Sequence, residues 1–224
     1  MTAPSAERRS PASADLADVP GWAGAVMLVL RAITQLVGIH VLIVLGTLAG
    51  GIVGGLAPAA TAARSLTSHL ADGTAGLAMW REFWGAWRSS FRRANLLALP
   101  FWGIGVLLAT DAWALAQTTG AVRAAMGVAL VVVTAYALVA LAYLPLVAGE
   151  FDDPWGASIR YLLLAPALHP GRGCAILVSL AAIGWAYWMV PPVAVLLGLA
   201  APILVTGWIA APALAASADS AASD

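Results

Sequence analysis

The chain has 224 residues, of which 62 % are hydrophobic and 10 % charged, and its eleven basic and eleven acidic residues cancel to a net charge of zero. Soluble domains carry about 25 % charged residues, so a wholly solvated surface is excluded. Neutrality also gives no bulk attraction to a polyanion, and no nucleic-acid partner is expected.

Several stretches reach the ~20 apolar residues that cross a hydrocarbon core of about 30 Å. The expected fold class is all-α, a polytopic transmembrane helical bundle of about five spans. All basic residues are arginine, and the abundant Ala and Gly suit a high-GC bacterial genome. That composition points to a bacterial cytoplasmic (inner) membrane. A single cysteine, Cys174, excludes an intrachain disulfide and multi-cysteine metal sites.

Residues 1–20 are polar, without periodicity, and read as a disordered tail. Residues 21–213 form the expected transmembrane domain, and 214–224 a short disordered C-terminal tail. Arg8 and Arg9 faintly resemble a secretion signal. The apolar run starts a dozen residues later and outlasts a signal core, so retention as the first span is expected.

That first span covers about 22–51 and holds Arg31, Gln35 and His40. It ends in "GTLAGGIVGGLAPAA", with five glycines between Gly46 and Gly55. Gly50, Gly51, Gly54 and Gly55 either admit a close helix or break this one. Pro58 fits the first turn of a new helical piece over 57–70, because its missing N–H costs nothing there. The loop "HLADGTAG" closes that piece.

"WREFWGAWRSSFRRANLL" follows, at 80–97. On a helix, Trp80, Phe83, Trp84, Trp87 and Phe91 fall at spacings 0, +3, +4, +7 and +11 and form one stripe. Arg81, Arg88 and Arg92 flank it, while Arg93 lies on the far side. Tryptophan favours the headgroup level and arginine reaches lipid phosphate. The segment is therefore expected to lie along the membrane surface and to turn into the second span near Asn95. A partner-docking role fits the same pattern.

The second and third spans are expected at 96–116 and 121–148, with Asp111 and Arg123 available to pair across their short loop. A polar link over 149–173 carries a second amphipathic helix and the acidic group Glu150, Asp152 and Asp153. A helix cap explains those acids more simply than a metal site. "VPPV" at 190–193 divides the last apolar block into a hairpin of two spans. Counting arginines places both long connections, with Arg64, Arg81, Arg88, Arg92, Arg93, Arg160 and Arg172, on the cytoplasmic side.

"GGLAPAATAARSL" and "REFWGAWRSSFRRANLLAL" together resemble the YesL-like family of small bacterial integral membrane proteins of unknown function. Phe83, Trp87, Arg88, Phe91, Arg92 and Ala94 fit its aromatic/basic pattern. Ser90 stands where the family usually has Asn, and Gly50 and Gly51 stand near its usual Leu-Pro. The resemblance implies an accessory role beside carbohydrate ABC importers, whose membrane subunits become expected partners together with the lipid bilayer. It supplies no catalytic residues.

Neither an enzyme motif nor a cofactor site stands out: Gly-x-Ser-x-Gly, His-Glu-x-x-His and phosphate-binding loops are missing from the sequence. Two functions therefore compete. One is a non-enzymatic accessory or scaffold protein of an importer. The other is a small transporter or channel formed as a homo-oligomer, with Arg31, Gln35 and His40 facing one another between copies. His40 suits a hydrogen bond to a neighbouring helix better than a proton relay, because no acid or second histidine accompanies it.

Overall fold

A computed structural model describes residues 22–68, 77–150 and 154–222. The tail over 1–20, the loop at 69–76 and the acids Asp152 and Asp153 lie outside the described residues. Among the described residues eight helices follow in order: α1 (Trp22–Ala49), α2 (Val53–Ser68), α3 (Leu77–Gln117), α4 (Gly120–Glu150), α5 (Trp155–Leu168), α6 (Pro170–Met189), α7 (Pro191–Leu197) and α8 (Ala200–Ala222). Among the described residues there is no strand.

By length and composition α1, α3, α4 and α6 can each cross a membrane. A fifth span results if α7 and the start of α8, bent by 69° about a short break, count as one. The surface agrees with this assignment. Trp102, Val106, Leu107 and Trp113 on α3 are exposed, as are Val128, Val131 and Val132 on α4. Apolar surface this continuous is stable against lipid and not against water.

The short helix α2 is the packing centre. Ala59, Ala62 and Ala63 are fully buried, and α1, α3, α4 and α8 all pack around it. Small side chains let four helices approach one axis, the usual device where lipid removes the hydrophobic drive for association. One cluster gathers Ile39, Ile43, Leu66 and Phe83 around α2. A second joins Leu97, Tyr143, Leu146, Leu162 and Ile176 between α3, α4, α5 and α6.

Five features differ from the sequence expectations. The helix containing Pro58 starts at Val53, so Pro58 lies inside it. No turn separates 80–95 from the following span, because α3 is one helix of 41 residues through Asn95. At 1.5 Å per residue it is about 61 Å long, twice a hydrocarbon core. Asp111 and Arg123 are exposed and no ion pair joins them. The second arm of the last apolar block is broken into a seven-residue α7 and α8, bent by 69° against each other. Finally, α8 continues to Ala222, because the alanine-rich "ALAASADSAA" favours helix, and 214–222 is therefore helical.

Candidate functional site

The glycines and aromatic residues singled out by sequence meet at the seam of α1, α2 and α3. Its foundation is the α1–α2 hairpin. Gly51 adopts φ +72° and Ile52 φ +64°, a left-handed step that reverses the chain between the two helices. A methyl added to Gly50 would run into the Gly55 backbone, and one on Gly55 would run into the Thr47 carbonyl. These two glycines are therefore required by direct backbone contact. Gly54 has room, with the Phe91 ring 4.0 Å from where its methyl would be.

Against this hairpin α3 runs parallel to α1. Gly38 faces Met79, Gly46 faces Phe83 and Trp87, and Gly54 faces Phe91. The aromatic stripe thus continues as an edge-to-face ladder. Ring centroids are 5.8 Å apart for Trp80–Trp84, 5.6 Å for Phe83–Trp84, 5.4 Å for Trp84–Trp87 and 4.9 Å for Trp87–Phe91. Edge-to-face pairs each add about 0.5–1.5 kcal/mol beyond their burial. Phe83 is fully buried, Trp84, Trp87 and Phe91 are half-buried, and Trp80 is exposed. The stripe packs over the chain's own glycine hairpin, with Phe83 at its centre. The Nε1 atoms of Trp84 and Trp87 and the Thr47 hydroxyl are buried there without a hydrogen-bond partner among the described residues.

The flanking arginines separate into two groups. Arg81, Arg88 and Arg92 are exposed, with no partner among the described residues. Arg93 turns inward and donates through Nη2 to Ser158 Oγ at 3.1 Å, tying α3 to α5. Arg64, expected on the helical piece of the connection between the first two spans, is held inside the bundle on α2. Its side chain is 14 % exposed, Nη2 lies 3.9 Å from Glu150 Oε1, and Nη1 lies 3.4 Å from Thr67 Oγ1. Gly207 on α8 lies against it, since a methyl there would come within 2.8 Å of Arg64 Nε.

Two prolines leave carbonyls that other helices fill. Pro58 has no N–H for the Gly54 carbonyl, and Asn95 Nδ2 donates to that oxygen at 2.8 Å. Pro100 likewise frees the Leu96 carbonyl, and Trp155 Nε1 on α5 donates to it at 3.1 Å. Such rescue is what makes proline tolerable inside a span. Sequence inspection can flag the vacated carbonyls but not the distant donors.

The intramembrane polar residues occupy different surroundings. Arg31 is exposed on α1 and Gln35 is buried within the chain. His40 reaches the α7–α8 break, where its Nδ1 accepts from the Leu199 N–H at 3.3 Å. The Tyr187 hydroxyl on α6 lies 3.2 Å from the Leu197 carbonyl and 3.1 Å from that of Gly198. The break is thus held by α1 and α6 together. Among the described residues no group of three His, Cys, Asp or Glu side chains could hold a metal.

Fold and seam together define an all-α, multi-pass membrane protein built around a buried α-helix. Residues 36–112, which contain the hairpin, α2 and the aromatic ladder, are similar to a family described as protein of unknown function, DUF624. No curated protein and no solved structure matches the chain.

Proposed function

We propose that this chain is a non-enzymatic accessory or scaffold protein of a bacterial cytoplasmic membrane, docking on membrane subunits of a carbohydrate importer. The observation that carries the proposal is the unpaired arginine stripe. Arg81, Arg88 and Arg92 project from the flank of a helix whose aromatic face packs on the core, while Arg64 and Arg93 are engaged inside the chain. Three charges on a rigid helix favour an acidic surface of a partner. The resemblance of 54–66 and 81–99 to YesL-like proteins supplies the importer as the class of partner, and the match to an uncharacterised family is compatible with it.

The test is a photocrosslinker placed beside Arg88, followed by mass spectrometry of what it captures in native membranes. Importer permease or ATPase subunits are the expected product, with the yield falling when Arg81, Arg88 and Arg92 become glutamine. Unchanged sugar uptake after deletion, with no importer subunit crosslinked, would sink the proposal.

A homo-oligomeric transporter is favoured by a different observation, the 69° bend between α7 and α8. Broken helices expose backbone groups that transporters use for ions and substrates. Here His40 and Tyr187 already occupy several of those groups. Flux of sugars, ions or protons into liposomes containing only this protein would establish transport.

A further inference from the structure

Along the first half of α4, beside Leu115 at the end of α3, lies an open groove of about 690 Å³, set apart from the glycine hairpin and the aromatic ladder. Leu115 forms one wall, and Gly127, Val128 and Val131 form the floor. Gly127 carries no side chain, and a methyl placed there would lie 4.0 Å from Leu115 Cδ2. One charged residue lines the groove, Arg123, in the first turn of α4. Its guanidinium has no partner among the described residues, and no carboxylate joins the lining. Asp111, the acid of the neighbouring helix, lies outside it.

From Gly120 to Val132 the groove extends about 18 Å along the helix, close to the depth of one leaflet. A single positive charge at the membrane-edge end and apolar surface below it match one kind of molecule. We propose that this groove binds an anionic phospholipid, its phosphate at Arg123 and one acyl chain along Gly127 and Val131. A second copy of the chain fits less well. An isologous contact through Gly120, Ala124 and Gly127 would bring two unpaired Arg123 side chains together. Like charges opposed without a counter-charge repel.

Native mass spectrometry of the detergent-purified chain tests this, with phosphatidylglycerol and phosphatidylcholine offered at equal concentration. Phosphatidylglycerol adducts should predominate and fall about fivefold in Arg123→Gln, the worth of one arginine beside an anionic headgroup. Gly127→Leu, which fills the floor, should remove both lipids from this site. Arg160→Gln, exposed on α5, should leave the adducts unchanged. Unaltered helical circular dichroism identifies the variants that remain folded, and Arg123→Gln, at an exposed position, keeps the test valid if Gly127→Leu does not. Equal phosphatidylglycerol binding by wild type and Arg123→Gln would overturn the proposal. So would competition by inorganic phosphate with retention of acyl-chain binding, or a homodimer that Gly127→Leu dissociates without lipid.

Discussion

Asn95 donates its side-chain amide to the Gly54 carbonyl at 2.8 Å, the oxygen that Pro58 leaves without a helical partner. One polar contact thereby joins α3 to the start of α2 and makes a proline acceptable inside the central helix. The two residues should behave as a coupled pair. Asn95→Leu leaves a buried carbonyl unsatisfied and should destabilise the protein by about 1–2 kcal/mol. With Pro58→Ala in place, an N–H returns to Gly54 and most of that loss should disappear. Denaturant unfolding in detergent across the four-member cycle measures the coupling. Additive losses would show that the hydrogen bond does not serve the proline.

The same logic applies one helix further on. Trp155→Phe keeps the ring but removes the donor to Leu96, whose own helical partner Pro100 cannot provide. A loss of about 1 kcal/mol is expected. Pro100→Ala should restore stability to Trp155→Phe while doing little for Trp155→Ala, which also loses ring contacts. Thermal melting of the three variants distinguishes the two effects.

The hairpin predicts a sharp difference among glycines. Gly50→Ala and Gly55→Ala place a methyl on backbone atoms that cannot move aside, so each should cost at least the ~1–3 kcal/mol of overpacking or prevent assembly. Gly85→Ala, on the open side of α3, meets nothing within 4 Å. It should be neutral or raise stability by a few tenths of a kcal/mol, since alanine favours helix. Yield of monodisperse protein after purification is a sufficient readout.

The glycine hairpin and the aromatic stripe were both legible in the sequence, because close approach and helical period leave direct marks on residue choice. What the stripe packs against was not. Periodicity shows that Phe83, Trp87 and Phe91 share a face, but lipid, a partner and the chain's own glycines would all select the same residues. Arg64 illustrates a second limit. An arginine in a connection between two spans counts toward the charged cytoplasmic side, and only the fold brings Glu150, Thr67 and Gly207 around it. Pro58 marks a third, since the rule that proline begins a helix holds only when nothing else fills the vacated carbonyl. Asn95 does so from 41 residues away.

The aromatic ladder gives a prediction that separates core from surface within one motif. Phe83 is fully buried between α1, α2 and α3, so Phe83→Ala should cost about 3–5 kcal/mol. Trp80, 48 % exposed at the ladder's end, should lose under half as much as alanine. Comparable losses at the two positions would return the whole stripe to a single environment, as a surface anchor requires.

The α7–α8 break offers the last test. His40 Nδ1 accepts the Leu199 N–H only as an unprotonated nitrogen, so the bond fixes the tautomer with hydrogen on Nε2. His40→Phe removes the acceptor and frees that N–H beside Gly198. Gly198 itself cannot compensate by becoming alanine, since an added methyl would lie 2.6 Å from the Ala194 carbonyl. Amide hydrogen exchange at 197–199 should accelerate in His40→Phe by about five- to tenfold, the kinetic equivalent of roughly 1 kcal/mol of lost protection. His40→Gln, which retains a side-chain acceptor, should recover part of it. If both variants exchange at the wild-type rate, Tyr187 alone holds the break, and Tyr187→Phe then becomes the substitution that opens it.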